Sequence, residues 1–375
     1  MRLAKIIAAS AAGMSAMLAC SAVTIARDNA LQSACFPAET LRAVLGERNT
    51  VKANRTFDQS EKARRLFEHA PLPSDRRGSI RRVDIADGRK AIALTLDMCE
   101  IRGEVSGYDG GVFDYLRSEG VKATLFAGGK WMRSHLSRTQ QLMTDPLFEI
   151  ASHGSAHRNV RKLSGEQLTD EILGPQRAYE AIREGLPETQ CAKRIANPMQ
   201  SVAPRISLYR FPFGACNEAA LNAVNDAGLA AIQWDVSIGD ADPGSSAIVL
   251  AARIVRNAKS GSIIIAHANG RGWHTADALR IAIPKLKAKG FEFVTVSELL
   301  ELGQAVVASS CYDSRPGDTD RYDFLFAKKP VTVGGRDSGW LPASILPEQP
   351  PSPPKKKKQP PAADWNTHVE PFRTN

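Results

Sequence analysis

The sequence predicts an α/β fold, a distorted (β/α) barrel, on three observations. From residue 90 to about 302, short apolar runs alternate with helical stretches, the mark of a parallel sheet wrapped by helices. Nearly every apolar run ends on a polar residue capable of chemistry, and barrels of this kind gather their chemistry at the C-terminal ends of the strands. The flanking segments lack this alternation, which confines the barrel to residues 89–304.

Taken in order, residues 91–96 read as a buried strand and 110–119 as a helix. A second strand at 122–127 and a helix at 137–144 follow. The pattern continues with a strand at 148–151, a long helix at 165–184, a strand at 208–211 and a helix at 218–227. Strands at 230–236, 262–267 and 292–296, with helices at 246–258 and 275–289 between them, complete the repeat. Residues 27–88 are charged and weakly periodic, rich in arginine at Arg64-Arg65 and over 76–82, with one helix at 39–45. They read as an N-terminal extension packed on the main domain. Residues 305–346 form a Gly- and Pro-punctuated C-terminal extension. The Pro/Lys-rich tail, 347–375, cannot bury a core and is expected to be disordered, extended and basic.

A chain of 375 residues, 43% hydrophobic, is long enough for one barrel of more than about 200 residues plus extensions. The net charge of +9 reads first as a solvated basic surface, and it also suits contact with an anionic polymer or cell-wall surface. No basic stretch is interleaved with aromatics as single-stranded nucleic-acid grooves require, so no nucleic-acid partner is expected. Arg2 and Lys5 precede an uncharged, Ala-rich run over 6–26, which reads as an export signal with Thr24-Ile25-Ala26 as cleavage site. A retained membrane anchor, or acylation of Cys20 in Met17-Leu18-Ala19-Cys20, are the alternatives. Each places the body of the protein outside the cytoplasm, periplasmic, secreted or membrane-anchored. Weak membrane or cell-wall association would run through the N-terminal segment or the Lys-rich tail. Cleavage after Ala26 leaves five cysteines, Cys35, Cys99, Cys191, Cys216 and Cys311. An oxidising compartment would pair most of them and leave one over.

The strand-end residues carry the chemistry. Asp97 closes the first strand, and Ser152-His153-Gly154-Ser155-Ala156-His157 follows the third. Arg210-Phe211-Pro212-Phe213-Gly214 follows the next, Trp234 through Asp240 come after the strand at Ile232, and His267 ends the strand over 263–267. His153 and His157 are four apart, so on a helical turn both imidazoles would face one divalent metal. Singly, each residue has an ordinary structural role: a capping histidine, a buried acid, a core histidine. It is their order along successive strands that points to a site.

In this order the motifs resemble the NodB-type polysaccharide deacetylases, the carbohydrate esterase family that includes chitooligosaccharide, chitin and peptidoglycan deacetylases. The family's Thr-Phe-Asp-Asp-Gly appears as Thr95-Leu96-Asp97-Met98-Cys99, and its His-Ser/Thr-x-x-His as the segment from His153 to His157. Its Arg-x-Pro-Tyr appears as Arg210-Phe211-Pro212-Phe213, its Asp-x-x-Asp-Trp as Ser237-Ile238-Gly239-Asp240-Ala241, and its Leu-x-His as Ile265-Ala266-His267. The resemblance implies a distorted barrel of the polysaccharide-deacetylase type. It implies a hydrolase acting on carbon–nitrogen bonds other than peptide bonds. The cofactor would be a divalent metal, zinc first with cobalt, nickel or manganese as alternatives, held by His153 and His157. Asp97 would be the base and His267 the acid. Arg210 would keep Asp97 ionised, Asp240 would orient His267, and a backbone N–H near Phe213 would serve the oxyanion. The partner implied is an N-acetylated glycan polymer or oligomer: peptidoglycan, chitooligosaccharide or exopolysaccharide.

Two departures from the family pattern matter. Met98 replaces the second aspartate, ordinarily the third metal ligand, and a thioether is a poor substitute. Glu100, Asp97 itself or a Cys99 thiolate are the replacements, and a Cys99–Cys216 disulfide pinning two site loops favours Glu100 or Asp97. Ser237 and Ala241 replace the family's acid and its pocket tryptophan, so Trp234 or Trp273 is expected to wall the acetyl pocket, with a core position the bland alternative for Trp234. Two other functions compete: a catalytically silent barrel that binds glycan, motivated by Met98, and an amidohydrolase of small C–N substrates, against which the export signal argues.

Overall fold

The structure, a computed structural model, describes residues 30–53 and 66–324. The expected export segment, the Cys20 acylation site and the Pro/Lys-rich tail lie outside these residues. In chain order the strands are β1 (Val51–Lys52), β2 (Ser79–Asp84), β3 (Ala91–Met98), β4 (Glu104–Val105), β5 (Ala123–Ala127) and β6 (Phe148–Ser152). There follow β7 (Leu208–Tyr209), β8 (Ala230–Ile232), β9 (Val236–Ser237), β10 (Ile263–His267), β11 (Glu292–Phe293) and β12 (Gln304–Ala308).

Every residue of β3 is buried, as expected of a parallel strand covered on both faces, and its alternation divides the molecule. Ala91 and Ala93 face an interior cluster with Ile80, Phe126, Ile232, Ile263 and Ile265. Ile92, Leu94, Leu96 and Met98 face an outer cluster shared with the surrounding helices. Side chains on a strand alternate with period two, so Thr95 and Asp97 continue the inward row. In β10 the same rule puts Ile263 and Ile265 inside, Ile264 and Ala266 outside, and makes His267 the next inward residue.

The main sheet runs β12-β2-β8-β7-β6-β5-β3-β10-β9, with β11 also pairing β3. Its pairings are parallel except that of β12 with β2. Arg82 of β2 bridges Ser262 at the entry of β10, and the Val83 N–H donates to the Gly261 carbonyl at 2.9 Å. These contacts join the two flanks and curl the sheet into a distorted barrel. The helix Val296–Leu300 packs Val296, Leu299 and Leu300 into the interior cluster at the end where β3 begins; there the Val294 N–H donates to the Ile92 carbonyl at 3.0 Å. The helices Gly110–Glu119, Leu136–Thr144, Gly165–Gly185, Ala247–Asn257 and Thr275–Ala288 cover the outside.

Several boundaries differ from those read in the sequence. The segment assigned to the N-terminal extension contains β2, which belongs to the barrel sheet, and β12 carries the sheet into the start of the expected C-terminal extension. Arginines at 81 and 82 masked β2: Arg81 turns its guanidinium to the carbonyls of Tyr312 and Asp313 and over the Tyr312 ring. The strand expected at 208–211 ends at Tyr209, and that at 292–296 ends at Phe293, because Thr295 with Glu298 forms a capping box that starts a helix. Residues 30–53 form a strap. Arg138 donates to the Glu47 carboxylate through both Nε and Nη2, each at 2.7 Å, β1 pairs β4, and Arg48 reaches Asp109 at 3.0 Å. A Cβ on Gly107 would stand 1.9 Å from the Arg48 carbonyl oxygen, so only glycine lets the strap lie this close.

Two disulfides tie the outer segments down. Cys35–Cys191 anchors the strap, and Cys216–Cys311 anchors residues after β12 beside the loop that follows β7. The expected Cys99–Cys216 bond does not form: Cys99 is a free, buried thiol and both of the other pairs are complete. Cys216–Cys311 closes 95 residues of sequence. Its removal in Cys216→Ala/Cys311→Ala should lower stability by about 2–4 kcal/mol, read from denaturant unfolding; an unchanged midpoint would refute the bond.

Candidate active site

Thr95 and Asp97 point inward at the end of β3 and meet Arg210, which follows β7. Arg210 is wholly buried. Its Nη1 donates to Thr95 Oγ1 at 2.7 Å and to Asp97 Oδ1 at 2.8 Å, while Nε and Nη2 reach the carbonyls of Ile232 and Gln233 at 3.3 and 3.2 Å. The guanidinium lies 3.9 Å above the Phe126 ring, an arrangement favourable for a desolvated cation. Burial alone would raise the Asp97 carboxyl, but His153, Arg210 and His267 outweigh it and hold its pKa below the ordinary value.

His153 leaves β6 and places Nε2 3.4 Å from Asp97 Oδ2. Its Nδ1 lies 3.0 Å from the Arg210 carbonyl, which can only accept, so the proton sits on Nδ1 and Nε2 keeps its lone pair. The expected helical turn from His153 to His157 is absent. The segment is a loop with Gly154 at φ +75° and His157 at φ +52°, and this reversal brings the two rings to 5.0 Å. Glu171 shapes the loop: Oε1 accepts from the N–H groups of Ala156 at 3.1 Å and Arg158 at 2.9 Å. A Cβ at Gly154 would stand 2.6 Å from that oxygen. Burial brings the pKa of both histidines down to about 4, with Arg271 adding to the effect at His157. Both are therefore neutral donors near pH 7.

His267 and Asp97 are register partners on the adjacent parallel strands β10 and β3, so both side chains rise on one face at strand spacing. His267 Nδ1 lies 2.8 Å from Asp240 Oδ1. Asp240 Oδ2 accepts the His267 N–H at 2.8 Å and the Thr275 hydroxyl at 2.7 Å. Burial works against protonation of His267, but the Asp240 charge and hydrogen bond outweigh it and carry the pKa up to about 9. The site thus sets a cationic imidazole beside an ionised carboxylate. Phe213, in the left-handed region at φ +63°, lays its ring 4.4 Å from His157 and 5.3 Å from Tyr322.

Glu100, expected as a metal ligand, is turned away. It is fully buried and pairs with Lys130, Ser134 and the Ser106 N–H, contacts that use its carboxylate elsewhere. In its place Cys99 Sγ comes together with the two imidazoles: these three donor atoms lie within 4.8 Å of one another. A tetrahedral ion with nitrogen at about 2.0 Å and sulfur at about 2.3 Å spaces its donors roughly 3.5 Å apart, so small side-chain movements make the set fit a divalent metal. Sequence reasoning discounted Cys99 as a ligand and passed over Asn269, which donates to Cys99 Sγ at 3.1 Å and to its carbonyl at 2.6 Å. The available signal was period two: Cys99 follows Asp97 on the inward row, whereas Met98 faces the outer core.

Trp234, expected as a wall of the acetyl pocket, is a buried core residue instead. Its ring packs under Gly214, and its Nε1 donates to Asp313 at 2.8 Å. Trp273 is 43% exposed, and its N–H donates to the Asp240 carbonyl at 2.7 Å, which sets the ring at the rim. Arg271, on the same loop as Trp273, is paired with Glu104 of β4.

A family model described as polysaccharide deacetylase matches residues 84–232. The chain is 30% identical over 221 residues to a peptidoglycan-N-acetylglucosamine deacetylase of Bacillus cereus, covering 58% of this chain and 91% of that protein. It is 28% identical over 214 residues to a peptidoglycan-N-acetylglucosamine deacetylase of Listeria monocytogenes, covering 57% of this chain and 40% of that one. Among solved structures, a carbohydrate esterase family 4 pseudoenzyme from Bacillus anthracis superposes with a TM-score of 0.48 at 23% identity, over 60% of this chain and 69% of that one.

Asp240→Asn removes the charge that raises His267. The imidazole, followed by NMR, should then titrate well below about 9, near or under the free value of about 6.5. Because the folded pKa is raised, its contribution to stability is complete below about 6.5 and is lost as the pH climbs through about 9. A titration unchanged in the variant would show that Asp240 does not set the acid.

Proposed function

The chain belongs to the polysaccharide deacetylase family, and from that premise we propose that it removes N-acetyl groups from an extracytoplasmic amino-sugar polymer, peptidoglycan foremost. The observation that carries the reading is the register pairing of Asp97 with His267, which sets a carboxylate and an imidazole side by side, with His153 3.4 Å from the carboxylate. Similarity in sequence to two peptidoglycan deacetylases supports the substrate class. Disulfides between Cys35 and Cys191 and between Cys216 and Cys311 support an oxidising location outside the cytoplasm.

Amide hydrolysis needs an activated water, a partner for the oxyanion and a proton for a poor leaving group. His153 and His157, with a third donor, would hold a divalent metal whose Lewis acidity serves the acyl oxygen and the water. Asp97 takes the proton of the attacking water; the Arg210 hydrogen bond on Oδ1 leaves Oδ2 to do so. His267, charged near neutral pH, gives its proton to the departing amine, and Asp240 stabilises the imidazolium before the transfer. Phe213, against His157, and Trp273, at the rim, offer apolar faces to the acetyl group and the sugar. The order of events is proton uptake at Asp97 on one strand and proton delivery from His267 on its neighbour.

Acetate release from N-acetylglucosamine oligomers and peptidoglycan fragments should be abolished by a chelator and by His153→Ala. Asp97→Asn and His267→Ala should each lower turnover by about 10²–10⁴-fold. No release from any glycan with metal supplied would instead favour a barrel that binds glycan without cutting it.

A further inference from the structure

We propose that Cys99 is the third protein ligand of the metal, so that the ion is held by two imidazoles and one thiolate. The inference rests on the metal site of the functional reading and names a donor that the family pattern does not supply. Three observations carry it. Cys99 Sγ and the donor nitrogens of His153 and His157 form one group within 4.8 Å. The side chain at the family's ligand position, Met98, is buried in the outer core, and Glu100 is bound to Lys130. Asn269, fully buried, aims its amide N–H at Sγ, and a directed donor of this kind orients and stabilises a coordinating sulfur.

A buried free cysteine is usually an inert small hydrophobe. Cys99 differs in its surroundings, since it faces two imidazoles and a side-chain amide at the end of β3. It is also the free cysteine among the described residues while four others are paired. On metal binding the thiol proton passes to solvent as the sulfur–metal bond forms, so the site gains the same single negative charge that a carboxylate ligand would bring. A set of two nitrogens and one sulfur favours thiophilic ions such as zinc over magnesium, calcium or manganese.

The test uses the purified full chain loaded with cobalt(II), a spectroscopic stand-in for zinc. The wild type should show a near-ultraviolet sulfur-to-cobalt charge-transfer band that disappears with chelator. Cys99→Ser should lose the band and bind cobalt more weakly by on the order of 10-fold or more, whereas Cys99→Asp should bind it without the band. In the wild type, zinc should also protect Cys99 from alkylation, read by peptide mass; this measurement needs no variant to fold. Cobalt bound through His153 without a charge-transfer band, a band that survives in Cys99→Ser, or alkylation indifferent to zinc would overturn the proposal. A band present in a protein that releases no acetate would leave the ligand assignment standing and defeat the deacetylase reading alone.

Discussion

The buried pair of Arg210 and Asp97 is the constraint on which the site depends. A guanidinium with no access to water is tolerated only if its charge is balanced and its donors are met. Here one carboxylate, one hydroxyl, two carbonyls and an aromatic face do this. Those partners come from β3, β5 and the C-terminal end of β8 with the residue after it, so satisfying one side chain holds three parts of the barrel wall in register. The same residue's carbonyl fixes the tautomer of His153. The Asp97 carboxylate, the His153 imidazole and the barrel wall are therefore held in one arrangement. A pair of this kind is weak evidence for net stability, because desolvation offsets much of the attraction. Its worth lies in the geometry that it imposes.

The period of a strand divides structure from chemistry without further instruction. On β3, Ala91 and Ala93 join the interior cluster, Thr95 and Asp97 follow them toward the C-terminal end, and the intervening residues face the outer cluster. On β10 the isoleucines and His267 repeat that division. A slip of one residue in either strand would exchange core for site. The heavily buried outer rows of β3 and β10 thereby also guard the positions of His267 and Asp97.

Much of this was legible in the sequence, for a physical reason. Strands buried on both faces read as apolar runs, and the residues ending them stand out against that background, which is why Asp97, His153, Arg210 and His267 could be picked from their order, while Asp240 was singled out through the family resemblance. Legibility failed where distant partners decide. β2 carries Arg81, buried against carbonyls near residue 312, beside Arg82, which pairs with Asp84, so the partner that lets a charged residue lie inside this strand is distant in sequence. Glu100 was chosen for its chemistry, but its fate is set by Lys130 on a helix. The spacing of His153 and His157 fits a helical turn, yet Gly154 and Glu171 bend it into a loop. Trp234 was suspected of facing the substrate, and its burial depends on Gly214 and Asp313, which the sequence places far from each other.

The cysteine pattern bears on how the chain acquires its structure. Cys35 is joined to Cys191 across Cys99, which remains free between them. A chain that emerges N-terminus first into an oxidising space presents Cys35 and Cys99 to an oxidant well before Cys191 appears, and pairing in order of appearance would join the wrong thiols. The native connectivity thus calls either for thiol–disulfide exchange after the whole barrel has emerged or for early burial of Cys99 at the end of β3. For a chain exported in this way, production of the correct isomer would depend on the traffic of thiols during biogenesis as much as on the stability of the finished fold.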